Sequence, residues 1–101
     1  MPVVIATILT KPGHRDDVLN VFTKHIPDVH AEPGCQMYAA HAGVDRVVVV
    51  EKWADQTSLD AHSQGPVLAA IADEITDHLD APLDIAITEP VPAGTPTKGQ
   101  L

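Results

Sequence analysis

The chain has 101 residues, with 6 lysines and arginines against 14 aspartates and glutamates, for a formal net charge of −8. A domain of this length buries only about two-thirds of its unfolded surface, so its core is modest and help from a partner chain is plausible. The acidic balance and the low aromatic content (one Trp, one Tyr and one Phe) exclude phosphate-backbone contacts and base stacking as the basis of function, so no nucleic-acid partner is expected. The opening MPVVIATILTKPG has no basic leader ahead of a long apolar segment, and no run approaches the roughly 18 apolar residues of a membrane span. A cytoplasmic protein without membrane contact is therefore expected. Cys35 is the single cysteine, which excludes an internal disulfide and reads as a small buried hydrophobe.

Val3 to Thr10 is almost wholly apolar and β-branched and is stopped by Lys11-Pro12-Gly13, as a strand with little exposed face would be. From about His14, the residues Val18, Leu19, Phe22, Ile26 and Val29 recur at helical spacing, with Pro27 expected to kink the helix or end its regular part. Glu32-Pro33-Gly34 is a turn, and the loosely alternating CQMYAAHA after it is a second strand, with Tyr38 on one face and Met37 and His41 on the other. A short connection through Ala42 to Asp45 favours a hairpin into the third strand, Arg46 to Trp53.

Asp55 is placed to cap a short helix over Gln56 to Gln64, and Gly65-Pro66 breaks it and starts another. In that second helix Leu68, Ile71, Ala72, Ile75 and Leu79 form an apolar stripe. Leu83, Ile85 and Ile87 then alternate with Asp84, Ala86 and Thr88 as a half-exposed strand. The order β-α-β-β-α-β, with the second helix broken, is the α+β, ferredoxin-like split βαβ arrangement over residues 1–90. Residues 91–101, rich in proline and without apolar periodicity, form an extended tail.

The third strand carries valines on both faces, at 47 and 49 and at 48 and 50, and the first strand is apolar on both faces too. Two helices cover only one side of a sheet. A second copy of the chain, sheet against sheet in a two-fold homodimer, is the simplest cover for the other.

There is no glycine-rich nucleotide loop, no paired-cysteine motif and no serine-hydrolase elbow. The six histidines, at 14, 25, 30, 41, 62 and 78, include no pair at i,i+4 on a helix or i,i+2 on a strand, so no metal site is expected. His62 shares a helix face with Leu59 through i,i+3 spacing. If that face looks inward, the imidazole stands over an apolar cleft as a candidate general base; otherwise it is a structural hydrogen-bonding group. Trp53 is either an aromatic wall for a flat substrate or a core plug. Tyr38 is a candidate for orienting a substrate hydroxyl, and Glu51 reads as a surface partner of Lys52 or Arg46, with a catalytic role as the lesser alternative.

Glu32-Pro33-Gly34-Cys35 with Tyr38 three places on, Glu51-Lys52-Trp53, and Leu59-Asp60-Ala61-His62 followed by Pro66 together resemble the antibiotic biosynthesis monooxygenase (ABM) family over about residues 3 to 90. The resemblance implies a dimeric α/β-barrel of ferredoxin-like protomers and a cofactor-independent monooxygenase that uses O₂ to oxidise a quinol or polycyclic phenol. His62 would be the proton acceptor, and Trp53 and Tyr38 would contact substrate. Val67 stands where many relatives carry a second histidine. Ala6, His62 and Ala72 stand where the haem-degrading branch has its asparagine, tryptophan and haem ligand. A non-catalytic binding module for an apolar or aromatic metabolite, or an isomerase on the same scaffold, are the alternative readings.

Overall fold

Strand β1 (Val3–Leu9) is the axis of a four-stranded antiparallel sheet, and the computed structural model describes all residues, 1–101. It is followed by helix α1 (Arg15–His30), strands β2 (Cys35–Gly43) and β3 (Arg46–Trp53), helices α2 (Gln56–Ser63) and α3 (Pro66–Ile75), a 3₁₀ turn at Thr76–His78, and strand β4 (Asp84–Thr88). The sheet order is β2-β3-β1-β4, so β1 pairs with β3 on one side and β4 on the other, the ferredoxin-like arrangement expected from the element order.

The β2–β3 hairpin turns through Val44-Asp45, with Gly43 opposite Arg46. Asp45 adopts φ 49°, a left-handed conformation that a short polar side chain tolerates. An irregularity between Cys35 and Met37 shifts the register at the start of β2, yet Tyr38 still faces the helices and is buried. Along β3, Val47, Val49, Glu51 and Trp53 all face the helix layer, while Val48 and Val50 are half-buried on the opposite face. Burying Val4, Ile8, Val47, Val49 and Trp53 against Val18, Phe22 and Val29 of α1 forms the core.

Three local expectations need correction. Pro27 neither ends nor interrupts α1, which runs on to His30. Proline removes only the N–H that would reach the Thr23 carbonyl, and both residues lie on the solvent side, where water satisfies that group. Helix α3 ends at Ile75, so Leu79 of the expected stripe lies beyond a 3₁₀ turn, where it bridges to Thr10. Strand β4 is exposed along its whole length, not half-exposed: Ile85 and Ile87, on the helix side, keep 50% and 59% of their surface. The reason is that α3 packs against α1 without lying flush on the sheet, so the β1–β4 side has no helix over it.

Candidate active site

The gap left by α3 is a cavity of about 230 Å³. Its walls are Val4, Ala6 and Ile8 of β1, Phe22 of α1, Leu68, Ile71 and Ile75 of α3, and Leu83, Ile85 and Ile87 at the β4 mouth. The only polar groups among its lining are Glu51, His62, Ser63 and Tyr38, and His62 brings three of them to one end, with Glu51 and Tyr38 beside it. Such an apolar chamber with a few convergent polar groups suits a small ligand with an apolar body and one polar edge.

His62 reaches this end because the start of α2 is fixed twice. The Ser58 N–H donates to Asp55 Oδ1 at 2.8 Å, which caps the helix. The Glu32-Pro33-Gly34 turn then docks on that capped end: the Ala54 N–H donates to the Gly34 carbonyl at 2.8 Å. Gly34 has φ 79°, and a Cβ there would lie 2.1 Å from Ser58 Oγ, so both the turn and the close approach require glycine. The docked turn presents Glu32, whose Oε2 accepts the His62 Nδ1–H at 2.7 Å. That bond selects the tautomer with its proton on Nδ1 and leaves Nε2 as the acceptor.

Glu51 completes the arrangement. It is buried, accepts the Trp53 indole N–H at 3.0 Å through Oε1, and the same oxygen stands 3.8 Å from His62 Nε2. The expected surface pairing of Glu51 with Lys52 or Arg46 is therefore wrong. Its place two residues from Val49 and two from Trp53 puts it on the inward face, a signal the strand alternation carried. Burial pushes the Glu51 carboxyl above the usual carboxylate range, offset in part by the indole hydrogen bond and the neighbouring imidazole. The Tyr38 phenol is pushed well above its ordinary value, chiefly by burial and then by Glu51 and Glu32, so it keeps its proton and can act as a donor.

Of the residues singled out in the sequence, His62 and Tyr38 line the cavity and their rings lie 5.5 Å apart, centre to centre. Trp53 does not line it. Fully buried, it stacks behind His62 with ring centres 4.6 Å apart and holds Glu51 in place. Glu32 escaped the sequence reading because only the docking of its turn onto α2 brings it to His62, 30 residues on.

Comparison with known proteins places the chain by sequence and by fold. The sequence profile of the antibiotic biosynthesis monooxygenase family fits residues 1–74. The chain belongs to that family. It is 39% identical to a probable quinol monooxygenase, YgiN, of Escherichia coli (strain K12) over 88 aligned positions, covering 74% of this chain and 85% of the relative. The crystal structure of an antibiotic biosynthesis monooxygenase superposes with a TM-score of 0.82 at 25% identity, covering 91% of this chain and all of the other. The structure of Rv0793 from Mycobacterium tuberculosis shares the fold at a TM-score of 0.83 and 22% identity, covering 94% of this chain and 100% of that one. Within this ABM chain the profile spans the whole polar end of the cavity, from Glu32 to His62, while β4 and its mouth lie beyond it.

Proposed function

We propose that this ABM protein is a monooxygenase that oxidises a small quinol or phenol with O₂, without a resident cofactor, and works as a homodimer. The observation that carries the reading is a buried imidazole, His62, oriented by Glu32 at the one polar end of an otherwise apolar cavity. Family membership and the YgiN relative support the same class of reaction.

The chemistry follows from the groups present. A substrate hydroxyl enters at the polar end, and His62 Nε2 accepts its proton while Glu32 stabilises the resulting imidazolium through Nδ1–H. Tyr38, which keeps its proton, donates to a substrate oxygen. The electron-rich phenolate reduces O₂ itself, and the apolar walls keep water from the intermediate. For a quinol bearing a ring C–H next to a hydroxyl-bearing ring carbon, one oxygen atom is inserted into that C–H bond as a hydroxyl and the other leaves as water. The four electrons come from the quinol and the C–H bond, and the product is a hydroxyquinone. The cavity volume of about 230 Å³ and its apolar walls suit a small aromatic ring system.

Dimerisation belongs to the same proposal. The sheet face away from the helices carries Ile5, Val48 and Val50 half-buried in the single chain, and a second sheet is the cover that suits them. Sedimentation at micromolar concentration checks this: a dimer is expected, and a monomer contradicts it.

Oxygen uptake tests the activity. With menadiol as probe, the protein should accelerate O₂ consumption above the protein-free autoxidation rate and yield a hydroxyquinone one oxygen heavier than menadione, the product of simple autoxidation. Saturable menadione binding with no acceleration would instead favour a binding module, and turnover without O₂ uptake would favour an isomerase.

A further inference from the structure

We infer that His14, Asp17 and His78 form a binding site for a divalent transition-metal ion, with zinc the best match. The site is separate from the cavity. His14 precedes α1, Asp17 stands in its first turn, and His78 closes the 3₁₀ turn after α3, so 64 residues of sequence separate the two histidines.

The three candidate ligand atoms converge. His14 Nδ1 lies 2.8 Å from His78 Nδ1, and Asp17 Oδ2 lies 3.8 Å and 3.7 Å from them. A point equidistant from all three is about 2.0 Å from each, the length of a zinc bond to imidazole nitrogen or carboxylate oxygen. Two imidazoles and one carboxylate are a borderline donor set, which selects zinc or its neighbours in the first transition row over calcium or magnesium. Half-exposed side chains leave a fourth position for water.

The backbone holds this arrangement before any ion arrives. The Lys11 N–H donates to the His78 carbonyl at 3.0 Å, and the Lys11 carbonyl accepts the His14 N–H at 2.9 Å, so one residue ties both histidines. The neighbouring Lys11 ammonium is turned to the Asp77 carbonyl, 2.9 Å away, and the chain's net charge of −8 favours a cation overall. A bound ion would tie the start of α1 to the corner that leads from α3 to β4, and so brace the open side of the cavity.

Isothermal titration of the chelator-treated full-length protein with zinc chloride at about pH 7.5 tests the site. One zinc per chain is expected, with a rise in Tm that EDTA reverses. His14→Ala and His78→Ala, with folding checked by circular dichroism, should each weaken uptake at least about 10-fold, the lower end of what even outer partners of metal ligands cost. His41→Ala, on the exposed face of β2, should bind as the parent does. If either histidine variant fails to fold, His78→Gln and Asp17→Asn provide the same comparison. No uptake at about 100 µM zinc, or uptake unchanged in folded His14 and His78 variants, overturns the assignment. Cobalt substitution gives a second readout: visible d–d bands of four-coordinate intensity support it, and an aquo-ion spectrum contradicts it.

Discussion

At the α2 end of the cavity, groups from the Glu32 turn, β3 and α2 lock one another through hydrogen bonds at 2.7 Å and 3.0 Å, and every ring is buried. At the β4 end, Leu83, Ile85 and Ile87 present apolar side chains that nothing covers. The contrast separates two demands on one site. A base must be held in one tautomer and one orientation, which requires a packed, satisfied polar network. Entry of substrate, or closure by another chain, requires an edge left open, and stability is not stored there.

Substitutions at the two ends should therefore differ in kind. The largest effect is expected from Trp53→Ala, which removes a fully buried aromatic and leaves Glu51 without its indole donor; it should cost about 3–5 kcal/mol in urea denaturation. Next is His62→Ala, expected to slow quinol turnover about 100-fold or more, equivalent to about 2.7 kcal/mol of barrier. An unchanged rate in a folded His62→Ala protein would remove the imidazole from the mechanism and erase the chemical half of the comparison.

At the open end, Ile85→Lys should shift the denaturation midpoint little, about 0.5 kcal/mol or less, because the side chain is half exposed already. It should instead raise KM, which steady-state kinetics reads, and leave self-association unchanged, since the dimer face lies on the other side of the sheet. A large loss of monomer stability would mean that the mouth is core after all. The smallest effect concerns pH. The Glu51 carboxyl is raised by burial, so the folded chain holds that proton more tightly than the unfolded chain. Stability is then lost as pH rises from the unfolded value of about 4.3 through the raised one. Glu51→Gln cannot ionise, and the Tm of the parent relative to this variant should fall as pH rises above the unfolded carboxyl value of about 4.3. A constant difference over that rise would show that the polar end does not strain the carboxylate.

Much of the fold was legible because its signals are local. Asp55 marks the start of α2 and Gly65-Pro66 the break between α2 and α3, and Val47 and Val49 against Val48 and Val50 mark a strand apolar on both faces. Pro27 misled because its penalty depends on which side of the helix faces water, a property of packing. Glu51 was legible in principle from its alternation with Val49 and Trp53, but a carboxylate in a strand reads as exposed until its donor is known.

Sequence alone determined the element order, the ferredoxin-like class, the family resemblance and the place of His62 on a short capped helix, since each rests on spacing within a few residues. Tertiary structure decided that Glu32 holds that imidazole, that Trp53 stands behind it and not in the cavity wall, and that β4 is left bare. It also brought His14 and His78 together across 64 residues. Those outcomes depend on how turns dock and how far a helix stands from its sheet, and no periodicity in the chain encodes either distance.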